Sequence, residues 1–240
     1  MKMHVLPGIM AVTLAVLIAG CSAPDSGKVV LKDRNDSISY VIGLDYGTGL
    51  KMKQVEYNPA AVYKGLEDVL NGKDMIPDTA AKIALINEVN QFINNKLLEQ
   101  FNAMLAGNKK TGSDFLMQNK ATPGVVELPS GMQYKIIANG ATNNRPAPQD
   151  SVVIHYQTMF VDRTLVEETY GNAPARFAVG GVNKGLSEGL QLMNPGAIYE
   201  FYIPSELSFG DKNFVDQRTG RVKVPAGSTL IYKVELLQIK

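Results

Sequence analysis

The stretch Ser151-Val152-Val153-Ile154-His155-Tyr156-Gln157-Thr158-Met159-Phe160 is a β-strand by residue type, and it opens an ordered series of elements that decides the fold. Downstream, Gly185-Leu186-Ser187-Glu188-Gly189-Leu190 lies in a helical segment expected over 183–193, followed by Tyr-Ile-Pro-Ser-Glu-Leu-Ser-Phe-Gly at 202–210. A closing strand is expected over 229–239, where Leu230, Tyr232, Val234 and Leu236 alternate with more polar neighbours. Upstream, Leu128-Pro129-Ser130-Gly131 makes a turn before a short strand over 132–137. These segments describe an antiparallel sheet curled around one short helix, with an apolar hollow between them.

The front half reads as helix. Asp36 or Ser37 is the expected cap of a first helix reaching about Lys53, with Ile38, Val41 and Ile42 on one side and Gly43 and Gly47 four apart on another. A glycine inside a helix costs roughly 1 kcal/mol relative to alanine, so two on one face imply close approach of another helix. Asn58-Pro59 opens a second helix and Asn71-Gly72 closes it, around a stripe of Val62, Tyr63, Leu66, Val69 and Leu70. Pro77-Asp78-Thr79 opens a third, in which Leu85, Ile86, Val89, Phe92, Ile93, Leu97, Phe101 and Leu105 keep a period near 3.6 residues. The pattern resumes at 113–118, so a nearly continuous helix of about forty residues is expected, on the order of 60 Å long, with Gly107 and Gly112 as the places where a kink or break could fall. A long apolar stripe short of partners in its own chain points to a homodimer.

The 240 residues suit one large or two modest domains, and 24 Lys and Arg against 23 Asp and Glu give no electrostatic case for nucleic acid. Residues 1–20 have a basic start at Lys2 and an apolar run over 8–18, too short to cross a bilayer, as in an export signal. Leu17-Ile18-Ala19-Gly20-Cys21 resembles the bacterial lipobox, which makes Cys21 the expected lipidation site. Ser22 follows it, rather than the Asp associated with inner-membrane retention, so a lipid-anchored outer-membrane protein facing the periplasm is expected. With Cys21 acylated, no thiol is left, and His155 is the only histidine of the mature part, so metal and triad chemistry are nearly excluded and no cofactor is expected. His155 adjoins Tyr156 on a strand and therefore faces the other way.

The order of elements resembles the FKBP-type peptidyl-prolyl cis/trans isomerases. Ser39-Tyr40-Val41-Ile42-Gly43-Leu44 and Gly65-Leu66-Glu67-Asp68-Val69-Leu70-Asn71-Gly72 further resemble the N-terminal domain of the macrophage infectivity potentiator group, whose helices interlace in a dimer. The resemblance implies an α+β chain: a signal peptide over 1–20, a tether over 21–33, a helical dimerisation domain with its long helix over 34–120, and an FKBP-like domain over 121–240. By position, Tyr156 matches the family's pocket tyrosine, Val182 the valine before the helix, and Tyr232 the aromatic residue at the back. Elsewhere the chain departs from the pattern. Val166-Glu167 stands for a Phe-Asp pair, Ala175 for a phenylalanine, Asn183 for an isoleucine whose backbone N–H binds ligand, and Leu186 for the floor tryptophan. Phe209 stands for a tyrosine whose hydroxyl donates to the substrate carbonyl, and Phe177 is placed to refill part of the widened space. The loop over 210–224, with Phe214, Arg218 and Arg221, is long for the family and is placed to cover the pocket.

Two functions follow. One is isomerisation of X-Pro bonds in exported client polypeptides, with activity weakened by the substitutions. The other is a non-catalytic periplasmic chaperone that holds clients on the same fold.

Overall fold

A computed structural model describes residues 30–53 and 57–240, so Cys21 and the signal-like segment lie outside the described residues. The chain divides into two units after Asn94.

In the first unit, helix α1 spans Arg34–Met52 and α2 spans Pro59–Leu70. The cap of α1 is Asp33, not Asp36 or Ser37: the Asp33 carboxylate accepts from the Asp36 N–H at 2.9 Å, starting the helix one turn earlier. Asn58 caps α2 as expected, accepting from Ala60 and Ala61. Helix α3, Thr79–Asn119, is continuous through Gly107 and Gly112, so no break falls at either. Gly112 has a different purpose. A Cβ there would lie 2.1 Å from Thr229 Oγ1, so the glycine lets the helix approach the residue just before the sheet's last strand.

In the second unit the strands are β1 (Val125–Glu127), β2 (Gln133–Ala138), β3 (Ser151–Phe160), β4 (Leu165–Glu168), β5 (Ala175–Ala178), β6 (Ile198–Ile203), β7 (Phe214–Val215), β8 (Val222–Val224) and β9 (Leu230–Ile239). All ladders are antiparallel; the main sheet runs β1-β2-β6-β9-β3-β4, and β5 also pairs with β3. Helix α4, Lys184–Leu190, is shorter than the expected 183–193, because Leu192 and Met193 turn back on Gly189 and Leu190 with tighter bonds before Asn194-Pro195.

The register sorts side chains by face. Tyr156 and Thr158 on β3 oppose Val234 and Tyr232 on β9, and Tyr232 opposes Phe201 on β6. Helix α4 covers this face, pressing Gly185 and Gly189 onto Ile203 and Phe201. The second half of α3 covers the opposite face: Phe115 meets Tyr202 with ring centroids 5.9 Å apart, and buried Gln133 donates to Leu116 O and accepts from Asn119. Strand β6 is thus buried on both sides, and its Glu200 is held by the Tyr202 hydroxyl at 2.6 Å and by an ion pair with Arg163. Burial works to raise the Glu200 pKa, but these two partners win and hold it below the usual carboxylate value.

Candidate active site

The candidate site lies beside the start of α4, whose cap Asn183 reaches Tyr232 of β9, next to β3. Leu186 and Tyr232 belong to the buried core, and Tyr156, Val166, Phe177, Val182 and Phe209 pack against that core while remaining partly exposed. Together they make one apolar cluster with a partly exposed side, the place for a candidate pocket. Each is placed by a simple rule. Tyr156 shares the α4 face of β3 with Thr158 by strand alternation, and Phe177, paired with Val152 on β5, joins them. Tyr156 and Phe177 meet edge to face at 5.8 Å. Val166 sits where β4 bulges, since Thr158 pairs with Glu167 and Met159 with Leu165.

Polar groups meet this cluster at two points. At one edge the Tyr156 hydroxyl donates to Glu167 Oε1 at 3.0 Å, and Lys223 of β8 forms an ion pair with Glu167 Oε2. Burial, then the neighbouring Glu167 charge, pushes the Tyr156 phenol far above its usual pKa. At the floor, Asn183 caps α4 by accepting from Leu186 N at 2.9 Å, while its Nδ2 donates to Tyr232 Oη at 3.3 Å. Burial pushes the Tyr232 phenol up to about 12. Ala175 begins β5 beside the cluster, paired with Ile154.

The 210–224 segment is a two-stranded ribbon of β7 and β8. It reaches the cluster through Phe214, stacked on Phe209 at 4.4 Å, and through Lys223. Arg218 and Arg221 are exposed where the ribbon turns and are not what attaches it to the site. His155 faces away from Tyr156, stacked on Tyr170 and within 3.1 Å of Thr169 Oγ1.

Lys223, Thr158 and Ser208 were missed in the sequence reading. Thr158 was detectable, being two residues from Tyr156 on one face; Lys223 is joined to Glu167 only by the fold. A cavity of about 510 Å³ between α3 and the turn at Ser205–Leu207 shares none of these residues; of its charged walls, Lys109 pairs with Asp211 and Lys120 with Glu127.

The arrangement suits a reaction with no covalent step. An X-Pro amide resists rotation by about 18 to 20 kcal/mol through resonance, which separates charge and is weakened out of water. A pocket that fits the twisted amide better than the planar one lowers that barrier.

Comparison with known proteins agrees with this geometry. Residues 35–136 match the domain amino terminal to FKBP-type peptidyl-prolyl isomerase, and 142–237 match the FKBP-type peptidyl-prolyl cis-trans isomerase. The chain is 33% identical to the outer membrane protein MIP of Legionella longbeachae, over 100% of this chain and 99% of that protein. It is 32% identical to the FKBP-type 22 kDa peptidyl-prolyl cis-trans isomerase of Escherichia coli, over 84% of this chain and 93% of that one. The crystal structure of FkpA from Escherichia coli superposes with a TM-score of 0.69 at 22% identity, covering 88% of this chain and 99% of that one, and shows the shared fold. Its helical front, its antiparallel sheet with one short helix and its match along the whole length of a MIP protein place this chain in the FKBP-type peptidyl-prolyl cis-trans isomerases, among those of the Mip and FkpA kind.

Proposed function

We propose that this isomerase acts on X-Pro bonds of exported polypeptides as a lipid-anchored homodimer on the periplasmic face of the outer membrane, with a lowered turnover. The observation that carries the reading is that Tyr156, Phe177, Val182, Leu186, Phe209 and Tyr232 pack together in or against one apolar core. The lowered turnover rests on Val166, Ala175 and Leu186, which give less apolar surface than the aromatic residues the family pattern carries, at about 1 kcal/mol or more per position. Domain limits of 34–120 and 121–240 go with this reading, as does acylation of Cys21 after removal of 1–20.

A second copy of the chain is the partner that α1 needs. This helix has no buried residue, and α2 leaves Val69 and Leu70 78% and 86% exposed. Open space lies beside Gly43 and Gly47, as for glycines reserved for a helix of another subunit.

The test is the isomerisation rate of short X-Pro peptides with protein lacking residues 1–21, beside its Tyr156→Ala Tyr232→Ala variant. Acceleration that collapses in the variant supports the reading. No acceleration across a range of residues before proline transfers the site to a client-holding role.

A further inference from the structure

We propose that the groove on the outer face of α4 seats the client residues next to the X-Pro bond, and that Lys184 and Glu188 make it select an acidic residue near the proline with a basic one two positions farther out. This deepens the isomerase reading and rests on the candidate site lying beside Val182.

The groove, of about 430 Å³, has Val182, Lys184, Ser187, Glu188 and Gln191 in its walls. Val182 joins it to the candidate site, because the same residue packs against the apolar core that holds Leu186 and Tyr232. Helix α4 has two distinct faces. Gly185, Leu186, Gly189 and Leu190 are buried, while Lys184, Ser187, Glu188 and Gln191, three and four residues apart, line the groove. A client with its proline against Val182 advances by about 3.3 Å per residue, so its next residues come within reach of this groove.

Neither charge serves the helix. Lys184 stands in the first turn of α4 and Glu188 in the last, each at the end where the helix dipole disfavours its sign. Lysine ahead of glutamate by four residues is also the weaker order for an ion pair. Accordingly, neither side chain forms an ion pair among the described residues. Elsewhere the charges of cavity walls are matched within the chain, as in Lys64 with Asp68 and Lys82 with Asp74 beside α2. Lys184 and Glu188 keep theirs for a partner.

The spacing identifies that partner. Four residues of helix advance about 6 Å at 1.5 Å per residue. Side chains two apart on an extended chain share a face and stand about 6.6 Å from each other. A client extended along α4 therefore sets one side chain against Lys184 and the next on that face against Glu188. Lys184 is the nearer of the two to Val182 in the chain, so the acidic residue comes first.

The test uses the full chain in detergent and X-Pro peptides with an acidic and a basic residue two apart, placed before or after the proline. In one set the acidic residue is nearer to the proline, in the other the basic one, and an uncharged peptide gives the baseline. KM and direct affinity are both read. On one side of the proline, the acidic-near peptide is expected to have a KM about three- to tenfold lower than its exchanged form, a ratio that shrinks at high salt. Lys184→Met with Glu188→Gln is expected to bring the ratio to one. Equal KM for both orders on both sides, or a preference for the basic-near order, overturns the inference and leaves the isomerase reading intact if the uncharged peptide is isomerised. A ratio that survives in the variant overturns it too. If wild type accelerates no peptide, the isomerase reading fails and affinity decides: a preference present in wild type and lost in the variant supports the groove, while equal binding or none overturns it. Should that variant not fold, Lys184→Glu with Glu188→Lys, which suits the helix dipole, replaces it: a lost or reversed ratio supports the inference and an unchanged one overturns it.

Discussion

Lys223 on β8 and Glu167 on β4 are joined by an ion pair, and the other oxygen of Glu167 accepts from Tyr156 at 3.0 Å. One carboxylate therefore ties the ribbon, the bulged edge strand and the pocket tyrosine together. The pair is partly exposed, 29% for Lys223 and 36% for Glu167, which limits its worth to at most about 1 kcal/mol of stability. Its importance lies in where it holds the ribbon.

Lys223→Met is expected to change thermal stability little and to raise the peptide KM several-fold, because the ribbon then reaches the candidate pocket only through the Phe214–Phe209 stack. High salt should move wild type part of the way and leave the variant unchanged. Equal KM values for the two proteins would remove the ribbon from the site.

Val166→Phe with Phe209→Tyr returns an aromatic wall and a rim donor to the candidate pocket. An increase in kcat/KM of up to about tenfold is expected, equivalent to about 1.4 kcal/mol in the transition state. No gain with any residue before proline would mean that proline does not bind against these two positions.

Gly189 and Gly185 admit α4 to the sheet. A Cβ at Gly189 would stand 2.7 Å from Phe201 Cε1, and one at Gly185 2.3 Å from Ile203 Cγ2. Alanine at either position should destabilise by about 1–3 kcal/mol from overpacking, against a helix-propensity gain of at most about 1 kcal/mol. Urea unfolding measures the balance, and a more stable Gly189→Ala protein would contradict this packing.

Gly43 and Gly47 have nothing within 4 Å. Leucine at both is expected to leave a folded chain that sediments as a monomer where wild type is a dimer. A double variant that remains dimeric would place the interface elsewhere.

The Tyr232 phenol, raised to about 12 by burial, favours the protonated form in the folded state. Its contribution is full below the unfolded value near 10 and is lost as pH rises through about 12, so stability should fall across that window. Tyr232→Phe should show a shallower fall, with Tyr156, Tyr170, Tyr199 and Tyr202, also raised, contributing to the remainder. Identical slopes would mean that Tyr232 ionises as freely folded as unfolded.

Local rules were enough for much of this protein. Residue type placed β3, alternation placed β9, Asn58-Pro59 placed the start of α2, and a 3.6-residue period carried α3 over most of its length. Tyr156, Phe177 and Tyr232 were singled out through the family resemblance and element order, and the fold packs all three in or against one apolar core. Strand β6 was not read as a strand: covered on both faces, it shows no alternation, and Glu200 interrupts its apolar run.

Other features exist only through partners far away in the chain. The capping carboxamide of Asn183 turns its remaining donors on Tyr232, 49 residues later, and Lys223 meets Glu167 across 56. Gly112 reads in sequence as a helix breaker, yet in the fold it is the point at which Thr229 approaches the helix. A helix cap or a strand face is set by residues a few positions apart, whereas a hydrogen-bond direction, an ion pair or a close backbone approach depends on which surfaces the packed sheet brings together.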